Sequence, residues 1–258
     1  MAAPAGRQPA PGKLHGRRQG RPLRDGLRGL IERRLPALEV RLPERGRLNP
    51  ASLFPAAPVA AAPVEAAPVE APSAGAGRPI WLEIGFGGGE HLAWQAIRHP
   101  EAGLIGCEVF VNGIATLLRA LEESGAGNVR IFREDARLLV EALPDACLDR
   151  VFLLFPDPWP KRRHAKRRFV APATLDALAR VLRPGGELRV ASDDPTYQAW
   201  ALAHLLRHPA FDWTARRADD WRRRPPDWPA TRYEAKALDS GRKPVYLAFR
   251  RVPDSEYP

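Results

Sequence analysis

Ile80-Trp81-Leu82-Glu83-Ile84-Gly85-Phe86-Gly87-Gly88-Gly89-Glu90 is the stretch on which the architecture of this chain turns. Five strand-forming residues stopped by glycines read as a short buried strand. Helical periodicity follows at once through Leu92, Trp94 and Ile97. The glycines between them let the backbone take φ > 0 and approach a ligand closely. Outward from this unit the pattern repeats. Strands are predicted at 104–108, 129–132, 151–155, 187–191 and 245–249, and helices at 112–123, 136–143, 174–182 and 195–206. Alternating strands and helices give a parallel sheet with helices on both faces, with ligands bound beyond the carboxyl ends of the strands.

The glycine spacing decides the kind of ligand. A dinucleotide pyrophosphate calls for G-x-G-x-x-G, but Glu90 stands where the third glycine belongs. A carboxylate there argues against an anion at this helix start, and so against hydride transfer from a dinucleotide. Two more acids fall at successive strand ends. Glu108 closes the second strand, placed to accept hydrogen bonds from ribose hydroxyls, and Asp135 closes the third, in reach of an adenine amino group. Either acid alone is as well explained as a helix cap. Together with Glu83 they ring the glycine loop as an adenosyl pocket. The E-x-G-x-G-x-G run itself resembles the first motif of class I S-adenosylmethionine-dependent methyltransferases.

The fourth strand runs into Phe155-Pro156-Asp157-Pro158-Trp159-Pro160 and then Lys161-Arg162-Arg163-His164-Ala165-Lys166-Arg167-Arg168. Three prolines stiffen the loop. A rigid carboxylate and indole can grip a planar base, and the basic run behind them, Arg168 included, can hold phosphate. Composition points the same way. The 258 residues carry a formal net charge of +10, which favours a polyanionic partner, nucleic acid or an anionic membrane. Cys107 and Cys147 lack the spacing of a disulfide framework or a zinc site. His204 and His208 stand four apart without a following Glu and read as a solvated helix face, so no metal is expected. With no signal peptide and no apolar run of membrane-spanning length, a cytoplasmic protein that binds no membrane is expected.

These residues resemble the bacterial tRNA (guanine-N7-)-methyltransferase family. The likeness covers about residues 79–252. It rests on Leu82 to Gly87, Glu108-Val109, Asp135-Ala136 and the Pro-Asp-Pro-Trp run with its basic tail. It also rests on Ser192-Asp193 with Tyr197, and on Thr231-Arg232-Tyr233-Glu234-Ala235-Lys236 before Gly241. The resemblance implies a Rossmann-like class I methyltransferase fold with a mostly parallel seven-stranded sheet. It implies transfer of a methyl group from S-adenosyl-L-methionine to N7 of a guanine in tRNA, at position 46 of the variable loop. Cofactor contacts would fall on Glu83, Gly85, Gly87, Glu108, Asp135, Ala136 and Asp157, with Asp157 also catalytic. Substrate contacts would fall on Lys161, Arg163, Arg167, Asp193, Thr231, Arg232, Tyr233 and Glu234. Pro160 stands where some members have His, so a histidine there is not essential to the chemistry. A monomer or homodimer needing no obligate protein partner is expected. Two other readings stay open: a non-catalytic RNA-binding subunit on a methyltransferase scaffold, and an amino-group nucleic-acid methyltransferase, whose Asp-Pro-Pro-aromatic loop is only partly matched.

Residues 1–77 differ in character from residues 78–258, the methyltransferase domain. Twelve of the 28 prolines lie in this part, and Ala-Ala-Pro-Val recurs from residues 56, 61 and 66. Such a repeat reads as an extended linker. Upstream of it lies a basic arm in which Leu27, Leu30, Ile31 and Leu35 suggest a short helix or docked segment. The expectation is a largely disordered N-terminal extension, either touching nucleic acid or merely solvated.

Overall fold

The structure, a computed structural model, describes residues 18–55, 77–253 and 255. Seven strands form one sheet: β1 (Ile80–Ile84), β2 (Gly103–Cys107), β3 (Val129–Phe132), β4 (Leu148–Leu154), β5 (Leu182–Ser192), β6 (Phe211–Trp213) and β7 (Val245–Arg251). Their order is β3-β2-β1-β4-β5-β7-β6. The first five run parallel, whereas β7 lies antiparallel to both β5 and β6. The helices are α1 (Asp25–Leu38), α2 (Glu90–Arg98), α3 (Val111–Ser124), α4 (Ala136–Ala142), α5 (Pro172–Val181), α6 (Pro195–Leu205), α7 (Asp219–Arg222) and α8 (Arg232–Asp239).

Period-two alternation in β1 divides the core. Ile80, Leu82 and Ile84 join one cluster with Leu139, Leu175 and Tyr197, while Trp81 joins the other with Leu92, Leu117 and Phe152. Successive strand side chains point to opposite faces, so Glu83 falls on the Trp81 side, against α2. This parity aims the first strand-end acid at a helix instead of at open solvent. The sheet reverses strand order at β1, between β2 and β4, and there the glycine loop leaves β1.

Residues 18–55 depart from the expectation of a loose arm. Leu30, Leu35 and Leu38 of α1 are buried in the same cluster as Ile114 and Leu117 of α3. The Val111 N–H donates to the Arg18 carbonyl, and Asn112 ties down the Gly20 N–H and the Arg21 carbonyl. Beyond α1 the chain crosses the edge of the sheet. Glu39 forms a parallel bridge with Ile131 of β3, and the Val40 N–H donates to the Ile131 carbonyl at 2.8 Å. Val40 and Phe54 then bury on the opposite face, and the Leu48 N–H donates to Ala142 at the end of α4. The apolar residues of α1 are thus its docking face, and burying them offsets the ordering of the segment. The Pro/Ala repeat lies outside the described residues.

The histidine pair also departs from expectation. His204 lies over Trp200 at 4.1 Å between ring centroids, and His208 is buried with Nε2 3.1 Å from Asp176. His208 therefore does not belong to a solvated face, and His204 is half-buried against Trp200.

Candidate active site

Gly85, Gly87 and Gly89 all take positive φ, 74°, 57° and 77°. The loop is pinned at its start by the Gly85 N–H, which donates to the Cys107 carbonyl at the end of β2. The Gly87 N–H donates to Glu108 Oε2 at 2.7 Å, while Glu108 Oε1 accepts from Val109 at 2.7 Å and Phe110 at 2.9 Å. Glu108 therefore sits at the end of β2 as expected, touching the glycine loop. Burial pushes its carboxyl above the ordinary carboxylate range. The N–H bonds from Phe110, Gly87 and Val109 pull it back, and the charge of nearby Asp157 pushes it up again. Oε1 is filled by its two donors, whereas Oε2, with one, keeps a lone pair for a further donor.

Asp135 caps α4, its Oδ1 accepting from the Arg137 N–H at 3.0 Å and its Oδ2 pairing with the Arg137 guanidinium at 3.0 Å. The cap is built at the carboxyl end of β3, and Ala136 is the buried first residue of the helix. Glu83 is 3% exposed. Its Oε2 lies 2.7 Å from Nδ1 of His91, on the first turn of α2.

The Pro-Asp-Pro-Trp loop leaves β4 through two residues of unusual backbone. Phe155 has φ 48° and Trp159 φ 42°, conformations that side-chain-bearing residues adopt only when their surroundings hold them. Asp157 is exposed between them. Residues Arg162–Arg167 form a 3-10 turn, with Lys161, Arg162, Arg163 and Lys166 exposed and Arg167 lying 4.8 Å over the Trp159 ring. Arg168 departs from the phosphate-binding role read for the whole basic run. It is 5% exposed; its Nε donates to the Pro158 carbonyl at 3.1 Å and its Nη2 to Trp159 at 3.0 Å. It also lies 4.5 Å over Trp200. Its charge is used to brace the loop that carries Asp157.

From the other side, α8 brings its first turn over the glycines. Thr231 caps the helix, accepting from the Glu234 N–H. A Cβ at Gly87 would meet the Tyr233 hydroxyl at 2.7 Å, and one at Gly88 would strike the Arg232 guanidinium. Arg232 pairs with Glu90 at 3.1 Å, so the carboxylate that replaces the third glycine anchors the substrate-side helix to the loop. Glu234 is buried, with Oε1 accepting from the Tyr246 hydroxyl at 2.5 Å and pairing with Arg224 Nε at 3.1 Å. Burial and the neighbouring Glu234 charge raise the Tyr246 hydroxyl, keeping it a donor. Asp193, past the end of β5, pairs with Arg242 at 2.6 Å.

The structure thus places Gly87 against Glu108, with Asp157 near enough to act on that carboxylate, and sets Arg232 and Tyr233 against Gly87, Gly88 and Glu90. Asp135 and Asp193 lie at the ends of β3 and β5, and Lys161, Arg163 and Arg167 follow Asp157. Sequence reasoning missed His91, Gln95, Arg224, Asp227 and Tyr246, which hold the acids in place. Only the proximity of His91 to the glycine loop was a signal. Among the described residues no group of three His, Cys, Asp or Glu is arranged to hold a metal ion, and no helix is long and apolar enough to cross a membrane.

The strand order, the antiparallel β7, the glycine loop and the acids at three strand ends define a class I, Rossmann-like methyltransferase. The family described as putative methyltransferase matches residues 77–247. A tRNA (guanine-N(7)-)-methyltransferase of Rhodospirillum rubrum is 53% identical over 95% of this chain and 90% of its own length. One of Paramagnetospirillum magneticum is 56% identical over 93% of this chain and 92% of its own, and one of Azorhizobium caulinodans 49% over 93% and 96%. The chain belongs to the tRNA (guanine-N(7)-)-methyltransferase family.

Proposed function

We propose that this protein methylates N7 of a guanine in tRNA, at position 46 of the variable loop, with S-adenosyl-L-methionine as the methyl donor, in the cytoplasm. The observation that carries the reading is the placement of Asp157. It is an exposed carboxylate on a strained, braced loop, electrostatically coupled to Glu108 and followed by an exposed basic turn. The relatives' shared activity supports the substrate.

The residues fit an adenosyl-bearing sulfonium donor. The positive-φ glycine loop lets backbone come close, and a side chain at Gly87 or Gly88 would collide with Tyr233 or Arg232. Glu83, Glu108 and Asp135 supply acceptors at three strand ends, for an ammonium group, ribose hydroxyls and an adenine amino group in turn. Gly85 and Gly87 shape the floor, and Ala136 a wall. When bound, the donor supplies an electrophilic methyl group.

Guanine N7 already has an in-plane lone pair, so the protein need not remove a proton there. Its task is to hold the base in line with the methyl group. Asp157 accepts hydrogen bonds from the guanine edge and offsets the positive charge that develops on the ring. Thr231, Tyr233 and Glu234 fix the base from the α8 side, with Arg232 and Asp193 framing that side. Lys161, Arg163 and Arg167 meet phosphates without reading sequence. The retained glycine loop and Asp157 disfavour a non-catalytic RNA-binding subunit.

The test is to incubate the protein with tRNA and methyl-labelled donor and map the modified nucleotide. Label on N7 of one variable-loop guanine is expected. In Asp157→Asn, donor affinity should persist while turnover falls by roughly the factor of 10²–10³ typical of a lost charge-stabilising group. Label on an exocyclic amino group, or none, would overturn the reading.

A further inference from the structure

A buried polar chain runs from the cofactor side of the site to the substrate side. Glu83 Oε2 lies 2.7 Å from His91 Nδ1, and His91 Nε2 lies 3.1 Å from Gln95 Nε2. The same Gln95 nitrogen donates to the Asp227 carbonyl at 2.9 Å. His91 is 3% exposed and Gln95 fully buried. The His91 ring is walled by Phe152 at 4.6 Å and Trp228 at 5.9 Å between centroids.

Donor logic sets the protonation. The Asp227 carbonyl only accepts, so it orients the Gln95 amide with nitrogen toward it. That nitrogen has a second hydrogen, which meets His91 Nε2. Nε2 must then be an acceptor, and the imidazole's one proton sits on Nδ1, facing Glu83. The opposite amide orientation would set two acceptors against each other at Asp227. The arrangement leaves Gln95 Oε1 buried without a partner, a cost the two amide N–H bonds offset.

The segment supplying that carbonyl is tied to both halves of the site. The Asp227 carboxylate pairs with Arg189 at 2.6 Å. Arg224, three residues earlier, donates to the Trp228 carbonyl at 2.9 Å and reaches Glu234 at 3.1 Å.

We propose that His91 is a positioning residue for methyl transfer: as an Nδ1–H imidazole, locked by Gln95 and the Asp227 carbonyl, it donates to the Glu83 carboxylate and keeps it aimed at the donor. This rests on the reading that Glu83 contacts the donor. The strap 224–228 thereby sets the orientation of Glu83 and Glu234 together, so the two ligand sides share one scaffold.

The test uses the full chain. Histidine nitrogen NMR of the wild-type protein, with His91 assigned by the signal lost in His91→Asn, should show a neutral ring protonated on Nδ1 near neutral pH. An Nε2–H ring or an imidazolium would overturn the proposal, and the state itself is read on the wild-type chain. Calorimetry with S-adenosylmethionine is the second arm. His91→Phe should weaken binding about tenfold or more, as for a lost hydrogen bond to a charged group. His91→Asn, whose amide nitrogen can take the place of Nδ1, should recover most of it. Glu83→Gln separates the failures. If it binds like wild type, the reading of Glu83 falls and this proposal with it. If it is weakened while His91→Phe binds like wild type, the positioning role alone is refuted.

Discussion

Replacing Arg168 separates two roles that a basic side chain beside a nucleic-acid loop can have. In Arg168→Ala two charged hydrogen bonds, to the Pro158 and Trp159 carbonyls, are lost together with the guanidinium over Trp200. Bonds to charged groups contribute about 1.5–3 kcal/mol each, and a desolvated cation–π contact about 2 kcal/mol. Relief of the buried charge offsets part of this, and the half-buried carbonyls can turn to water. A net destabilisation of about 2–4 kcal/mol is expected by chemical denaturation. The larger consequence lies in the loop. Phe155 and Trp159 are held at positive φ, which costs about 1–3 kcal/mol each and persists only while the surroundings insist on it. Without the brace the loop relaxes and Asp157 moves, and a displacement of about 1 Å at a reacting centre can cost 10²-fold in rate. Single-turnover methylation at saturating donor and tRNA should therefore fall ten- to a hundredfold. Arg168→Lys should be intermediate, because a point ammonium cannot serve both carbonyls and the indole. The salt dependence of tRNA binding should not change. A variant of wild-type stability with a shallower salt slope would refute the brace and return Arg168 to the phosphate-binding surface.

The basic residues read as facing phosphate, exposed Arg163 and half-buried Arg167, should behave oppositely. Replacing Arg163 and Arg167 together with Ala should weaken tRNA binding and lower its salt slope by about one to two, with turnover at saturation little changed; an unaltered slope places the RNA surface elsewhere. Because Glu108 has its carboxyl raised, its ionised form is lost earlier than usual on acidification. Donor affinity should thus fall as pH drops, starting above the ordinary carboxylate range, and Glu108→Gln should bind weakly with a flat profile. Calorimetry across pH giving parallel curves for both proteins would remove Glu108 from the pocket. Deleting residues 1–55 should lower the melting temperature strongly, since burial of Leu30, Leu35, Leu38, Val40 and Phe54 contributes about 1.5–3 kcal/mol per side chain. A truncated chain melting like the intact one would mean the segment packs without stabilising.

The parallel half of the sheet was legible because its strands are short continuous apolar runs and its helices keep a clear 3.6-residue stripe. The strand-end acids were legible for the same reason, since the strand ends could be located. The second half was harder. β6 has three residues, too few for any period to emerge. In α8 only Glu234 and Ala237 are buried, so its buried face is marked by an acid and an alanine. The α1 stripe was visible, but the proline-rich surroundings and the repeat that follows pointed to an unpacked arm. What no local pattern carries is pairing across long separations. Gln95 with Asp227, Arg224 with Glu234, and Arg168 with Trp200 come together only through the fold. Arg168 shows the limit best, because one residue beyond the exposed face of a basic run an identical side chain is buried and serves the backbone.

The crossing of residues 39–40 over β3 has a consequence beyond stability. β3 is an outer strand, and its free rim is one on which another chain's strand could add. Glu39 and Val40 occupy part of that rim through their pairing with Ile131. At the opposite border β6 offers only three residues. The N-terminal segment therefore covers part of an edge on which strand addition would start. A fragment cut to the family-matched core would expose a strand rim together with the greasy bed of α1. Its characteristic failure would be precipitation or strand-swapped oligomers, at concentrations where the whole chain stays dispersed.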